Sequence, residues 1–389
     1  MKYIYLDHAA TTPVHPKVAE AMLPYLAGYF GNPSSLYEAG RITRQAIQKA
    51  REKVAGLLGA KLEEIVFTSG GTESDNLAIK GIAYANRNKG NHIITTSIEH
   101  NAVMESCRFL MKNGWKVTFL PVDSAGIVDP DDLRKAIVPD TILISVMHAN
   151  NEIGSIQPIE EIGKIAKERD IYFHVDAVQT FGHIPTIVDE LKADLLSISA
   201  HKFYGPKGVG AIYIRKGTKI VPMQHGGEQE SGRRASTENV AGIAGIGAAV
   251  EEAAKEMESE AKRLTILREK FIFSLFDSIP DVYLNGHPTQ RLPNNVNISI
   301  DSAEGEALLI KLDFKGIAVS TGSACSSGSN KPSHVLVSIG VSPELVRSSL
   351  RFTFGHDTTE DDLNYVTDIL KDAVQDLRAM SPHYDSSFT

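Results

Sequence analysis

Between residues 60 and 215, seven short β-rich apolar runs alternate with longer helical stretches, and few folds accept that rhythm. The runs are Glu64-Ile-Val-Phe-Thr68, His92-Ile-Ile-Thr-Thr96, Lys116-Val-Thr-Phe-Leu120, Thr141-Ile-Leu-Ile-Ser-Val-Met147, Tyr172-Phe-His-Val175, Asp194-Leu-Leu-Ser-Ile198 and Gly210-Ala-Ile-Tyr-Ile-Arg215. Strands apolar on both faces must be covered on both faces, which predicts an α/β fold with a mainly parallel seven-stranded sheet. In such a sheet ligands bind at the C-terminal ends of the strands. Polar residues just after each run are therefore the first candidates for function.

From about Asn239 to Phe276 the pattern is that of one unusually long helix, Ala- and Gly-rich at first and charged later. A helix beyond about 25 residues suggests a bridge between two bodies. After it, Asn294–Ile300, Ala318–Ser320 and Leu350–Phe354 read as strands of a smaller α+β unit, closed by a helix from about Glu360 to Met380. The expected division is a large domain over 15–259, with residues 1–14 and 260–389 forming the small one. The arm Tyr5-Leu-Asp-His-Ala-Ala-Thr-Thr-Pro13 fits either body.

The chain has 389 residues, 42% of them hydrophobic, enough for a sizeable core, and a net charge of −8 with no basic stripe for nucleic acid. Two cysteines, Cys107 and Cys325, make no disulfide framework, which fits a reducing cytoplasm. No apolar run approaches the roughly 18 residues of a membrane span, and Met1–His8 lacks the apolar region of a leader.

His174-Val-Asp176-Ala-Val-Gln179 and Ser199-Ala-His201-Lys202 each follow an apolar run. An isolated Asp or Lys is usually a cap or a solvated charge. Together at adjoining strand ends they meet the needs of pyridoxal 5'-phosphate: a Lys for the Schiff base and a carboxylate that keeps the pyridine nitrogen protonated. Ser69-Gly70-Gly71-Thr72 follows the first run and opens a helix, so its free N–H groups form an anion site that Thr72 can extend. It matches neither a Walker loop nor a dinucleotide fingerprint. Ser199 and His201 would complete the hydrogen bonds of a phosphate, and Gln179 could donate to the ring phenolate. His100, after the second run, could stack on a ring and shuttle protons. Asn150-Asn151-Glu-Ile-Gly154 falls on the same rim. No set of ligands for a metal stands out.

Cys325 sits in Ser320-Thr-Gly-Ser-Ala-Cys-Ser-Ser-Gly-Ser329, whose small residues offer nothing to bury a thiol. It reads as a nucleophile on a pliable tether. Cys107, on an amphipathic run, reads as packing. Arg351, alternating with apolar neighbours in Ser349-Leu-Arg-Phe-Thr353, offers a planar fork for an amino-acid carboxylate, or is a surface strand Arg.

The ordered set Leu6-Asp-His-Ala-Ala-Thr-Thr-Pro13, Gly31-Asn32-Pro-Ser-Ser35, Phe67–Ser74, Asn150–Gly154, His174–Gln179, Ser199–Lys202 and Gly322-Ser-Ala-Cys325 resembles the cysteine desulfurases of the NifS/IscS-like group, over essentially the whole chain. The resemblance implies a fold-type I pyridoxal phosphate enzyme, a homodimer with its active sites at the subunit interface. The implied reaction converts L-cysteine to L-alanine and leaves sulfur on Cys325 as a persulfide, destined for an acceptor such as an iron–sulfur scaffold or a thio-cofactor or tRNA pathway. Lys202 would carry the cofactor and Asp176 would pair with its ring nitrogen. Gly71, Thr72, Ser199 and His201 would surround the phosphate, joined by Thr237 from the partner subunit. His100 would stack, Gln179 would meet the phenolate, Asn151 would touch cofactor and substrate, and Asn32 and Arg351 would bind substrate.

Three departures from that group stand out. Arg234-Ala-Ser236-Thr237 lacks the glycine usual before the Thr, His8 replaces a residue that is often aromatic or Asn, and His356 stands where Arg is common. A transaminase or lyase on the same fold would need Lys202 and Asp176 but no pliable thiol, and a non-catalytic relative would need neither. Selenocysteine cleavage would use the same groups. The tail from Ser381 reads, by analogy alone, as a docking element for the acceptor.

Overall fold

The computed structural model describes residues 3–321 and 332–380; Cys325 and its neighbours, and the tail from Ser381, lie outside the described residues. The arm contributes β1 (Ile4–Tyr5). The seven expected runs are β2 (Ile65–Thr68), β3 (His92–Thr96), β4 (Lys116–Leu120), β5 (Thr141–Met147), β6 (Tyr172–Asp176), β7 (Leu195–Ser199) and β8 (Gly210–Ile214). They form one sheet in the order β2-β8-β7-β6-β5-β3-β4. Neighbours run parallel except at β8, which is antiparallel to both β7 and β2. The cause is local: β7 reaches β8 through the turn around Lys202 with no crossover helix, so the chain must reverse.

Six helices interleave with this sheet or precede it: α1 (Pro16–Ala27), α2 (Glu38–Leu58), α3 (Gly71–Ala85), α4 (Asn101–Lys112), α5 (Pro130–Ala136) and α6 (Ile159–Glu168). The buried side of α2 is Thr43, Ala46, Ile47, Ala50, Val54 and Leu58, the three-and-four spacing of one helical face. It stops at Gly59, whose φ of 66° supplies the left-handed C-cap. Ile93, Ile94, Leu143, Ile144, Val175, Leu196 and Ile198 are buried in the sheet's two faces. Each such side chain contributes about 1.5–3 kcal/mol on leaving water.

The long helix is α7 (Val240–Ser278), 39 residues and roughly 58 Å at 1.5 Å per residue. Ile243, Ile246, Ala249 and Val250 pack in the core under the large sheet, whereas Leu264, Leu267, Phe271 and Leu275 belong to a second core. That second core is built from β9 (Val282–Leu284), β10 (Asn295–Ile300), α8 (Gly305–Asp313), β11 (Ile317–Ala318), β13 (Ser349–Thr353) and α11 (Glu360–Met380), with β12 (Ser320–Thr321) at the edge of its sheet. Helices α9 (His334–Ser338) and α10 (Pro343–Arg347) instead bury Val335, Leu336 and Val346 in a separate cluster with Ile98, Met147 and Ile153. The small sheet runs β12-β13-β10-β9. The strand expected over Ala318–Ser320 is two strands, because the chain changes partner there: β11 pairs with β1 and β12 with β13.

The arm joins both bodies. Leu6 exchanges backbone bonds with Ala318 and Thr353 (2.8 and 2.7 Å), and Thr12 N–H then donates to the His201 carbonyl at 2.9 Å. Ser236, in place of the usual glycine, holds φ at 96°, a region costly for any residue with a Cβ. Cys107 is fully buried between α4 and the sheet, as its amphipathic spacing implies.

Candidate active site

The C-terminal ends of β5, β6 and β7 and the start of α3 enclose a cavity of about 420 Å³. Gly71, Thr72, His100, Asn151, Asp176, Gln179, Ser199, His201 and Lys202 all line it. Nine of the expected residues thus converge, which the strand order explains: β6 and β7 are neighbours, so Asp176 and Lys202 follow adjacent strand ends.

The start of α3 is shaped for an anion. Gly70 leaves β2 at φ 151° and gives the helix no side-chain cap, so the first N–H groups lack a side-chain acceptor there. A Cβ on Gly71 would stand 2.6 Å from Val178 Cγ2, so only glycine lets the backbone approach this closely. Opposite, Lys202 Nζ donates to the carbonyls of Ala9 (2.6 Å) and Ala10 (2.8 Å), and Gln179 Nε2 donates to Ala9 (3.0 Å). The arm therefore forms one wall of the cavity.

Asp176 is buried, and its Oδ1 accepts from Val178 N–H at 2.9 Å. Burial pushes its carboxyl up to about 6, against the pull of the Val178 bond and of Lys202. A cationic ring nitrogen placed against it would restore the ionised form. Beneath it lie Asp75 and His174. His174 bonds Ser145 Oγ (2.8 Å) and Ser197 Oγ (2.9 Å) and stands 3.6 Å from Asp75 Oδ1. Burial drives the Asp75 carboxyl well up, reinforced by Asp176, and pushes His174 down to about 3.

His100 caps α4: its Nδ1 accepts from Ala102 N–H at 3.1 Å, which leaves the ring proton on Nε2. Burial, followed by the charge of Lys202 and the neighbouring His334, pushes the ring down to about 4. The positive end of α4 works in the same direction. The resting imidazole is thus a neutral Nε2–H donor with its lone pair committed, a narrower role than a two-way proton shuttle. His201 is also held neutral, at about 4, chiefly by burial and then by Lys202, with Nδ1 3.1 Å from Thr11 Oγ1.

Three expected residues lie elsewhere. Asn32 accepts from Ser34 N–H (2.9 Å) and shapes its own turn. Thr237 is outside the cavity of its own chain, and its neighbour Glu238 lines a separate cleft with Ser34 and Arg51. Arg351 is buried rather than a surface strand residue; it donates to the Asn151 carbonyl (3.0 Å) and to Asp7 (2.8 Å). Cys325 lies outside the described residues. The sequence reading missed the Ala9 and Ala10 carbonyls, Asp75, His174 and Glu99. Among these, only His174 carried a signal, two residues before Asp176 on the same strand face. Among the described residues no group of three His, Cys, Asp or Glu is placed to hold a metal, and no helix is long and apolar enough to cross a membrane.

An uncapped helix start closed by Gly71, a buried carboxyl and an amine facing one cavity together fit the phosphate, ring nitrogen and aldehyde of pyridoxal phosphate. Fold and site define a fold-type I pyridoxal phosphate enzyme. Residues 4–366 match the model of the class-V aminotransferases. The chain is 62% identical over 380 residues to a protein of Dictyoglomus turgidum named cysteine desulfurase IscS, covering 98% of this chain and 96% of that one. A solved structure of a NifS-like protein superposes with a TM-score of 0.90 at 40% identity, over 97% and 99% of the two chains. Another, SspA in complex with cysteine, gives 0.80 at 38% identity, over 90% and 98%. The chain belongs to the class-V aminotransferases and, within them, to the cysteine desulfurases of the NifS/IscS type.

Proposed function

We propose that this protein converts L-cysteine to L-alanine and passes the sulfur, as a persulfide on Cys325, to a scaffold for iron–sulfur cluster assembly or to a thio-cofactor or tRNA pathway. The balance is simple: cysteine and the Cys325 thiol become alanine and the Cys325 persulfide, with no net electron gained or lost. The carrying observation is the single cavity that brings Lys202, Asp176 and the bare start of α3 together.

Bound there, pyridoxal phosphate supplies an electron sink for the bond broken at the substrate Cα. Lys202 would hold the cofactor through its amine, and the same amine would take up and return the substrate's Cα proton. The Ala9 and Ala10 carbonyls give its Nζ a place close by. Asp176 holds the ring nitrogen protonated, and Gly71, Thr72, Ser199 and His201 hold the phosphate. His100 stacks on the ring and donates from Nε2. Gln179 reaches the phenolate, Asn151 orients substrate and ring, and Arg351, with Asn32 at the rim, binds the carboxylate. Cys325 attacks the substrate sulfur.

The active unit we propose is a cytoplasmic homodimer, each chain divided into domains near residue 260. Leu23, Leu26, Phe30, Leu36 and Tyr37 expose apolar surface around Asn32, which favours burial against a second copy. That second copy would bring its Thr237 loop to the phosphate.

The test is product analysis on protein reconstituted with pyridoxal phosphate, given L-cysteine and a reductant. Equal alanine and sulfide are expected; a keto acid would instead indicate transamination. Lys202→Ala should lose the Schiff-base absorption, and Cys325→Ala should keep it while releasing no sulfide.

A further inference from the structure

The turn Asn150–Gly154, which carries Asn151 to the cavity, is gripped by residues far along the chain. Internally, Asn150 Oδ1 accepts from the N–H groups of Glu152 (2.8 Å) and Ile153 (3.0 Å). From β10, Asn295 and Asn297 donate to the Glu152 carbonyl at 3.2 and 3.1 Å. Arg291 donates to the Ile153 carbonyl (2.8 Å), and Arg351 of β13 to that of Asn151 (3.0 Å). The Glu152 side chain adds the link to α9, its Oε2 standing 2.5 Å from Ser333 Oγ. Ser333 caps α9 and accepts there from Leu336 N–H at 3.1 Å, which leaves its one hydroxyl proton for Glu152.

A fully buried carboxyl carries a large desolvation cost. Here the Ser333 hydroxyl and the charge of Arg351 offset it in part. Arg351 itself is half committed. One terminal nitrogen holds Asn151, the other holds Asp7, and Nε has no partner among the described residues. A carboxylate bound there depends on Asn151 and the guanidinium keeping a fixed spacing, and misplacement on the scale of about 1 Å is expensive at such sites.

We propose that Glu152 is a positioning residue for the substrate carboxylate: by tying Ser333 to the turn at 150–154 it fixes the spacing between Asn151 and Arg351. Glu152 touches neither substrate nor cofactor and acts through those two residues. The inference rests on the reading of Arg351 as the group that binds the carboxylate.

The test compares L-cysteine with cysteamine, which keeps the amine and thiol but lacks the carboxylate. Binding is read from the change in the visible spectrum of the holoenzyme. Glu152→Ala is expected to weaken L-cysteine about tenfold, the order of one buried hydrogen bond left unmade, and to leave cysteamine within about twofold. Ser333→Ala should do the same from the other side. Glu152→Gln keeps an acceptor for the Ser333 hydroxyl and should restore most of the affinity. Because the last two variants are mild, they carry the test if the first folds poorly. Equal weakening of both ligands, or no rescue by Gln, would overturn the proposal. Arg351→Ala is the control: if it leaves the preference for L-cysteine over cysteamine intact, the carboxylate reading of Arg351 fails and the inference goes with it. If Arg351→Ala abolishes the preference and the Glu152 and Ser333 variants do not change it, Glu152 alone is wrongly assigned.

Discussion

Glu99 shows how far a side chain's state can depart from what its type implies. It precedes His100, is fully buried, and accepts from Thr96 Oγ1 (2.7 Å) and Met147 N–H (3.0 Å). Burial, with a smaller push from Asp176, raises its carboxyl to about 8. Below roughly pH 4.3 folded and unfolded chains both hold the proton. Between there and about 8 only the folded chain does, so unfolding releases a proton and stability falls as pH rises, then levels off. Glu99→Gln keeps both acceptor bonds and removes the titration. Its melting temperature should therefore gain on the wild type's steadily from pH 5 to 8; parallel curves would mean that Glu99 is ionised in the folded protein. None of this is visible in the sequence, where Ile98-Glu-His100 marks His100 as a candidate and leaves Glu99 looking like an ordinary rim carboxylate. The neutral state of His100 is equally hidden, because it follows from burial of the ring and then from the charge of Lys202, while the cap that Nδ1 makes on α4 sets the tautomer.

Among the elements, those specified by local pattern were the legible ones. β3, β4 and β5 have the bounds that their apolar runs imply, and α11 spans the expected Glu360–Met380. The split of β11 from β12 was not legible, because it depends on which distant strand each finds. The start of α3 is an intermediate case: two glycines announce a close approach without saying to what. Val178 is the answer, and it makes a prediction. Gly71→Ala should cost about 1–3 kcal/mol through overpacking and should weaken cofactor retention. Titrating the apo protein with pyridoxal phosphate checks this, and unchanged affinity would remove Gly71 from the phosphate cradle.

At the level of the whole molecule, α7 is the longest element and runs through both cores. One side of its middle faces solvent, with Ser259 exposed between Val250 of one core and Leu264 of the other, while Met257 and Ala261 line a pocket with Phe203 and Phe354. Ser259→Pro should cost about 3 kcal/mol or more by removing a helical bond and kinking the helix. In scanning calorimetry the unfolding endotherm is expected to split or broaden; a single, unshifted transition would mean that the cores are coupled elsewhere. The presence of a second core was readable from the change in pattern after this helix. The arm's double allegiance was not, since its partners are Ala318, Thr353 and His201, residues that sequence spacing cannot connect to it.

That allegiance has a consequence in time. Residues 4–9 pair with β11 and with Thr353, which are made far later in the chain. At about 5–20 residues per second, the arm waits roughly 20 to 70 s for its partners to be made. Until then the arm lacks its bonds to Ala318 and Thr353, and the wall that Ala9 and Ala10 give Lys202 is anchored on one side only, by Thr12 on His201. A nascent chain can complete the large sheet early, yet its cavity gains a wall anchored on both sides only once β13 has been made.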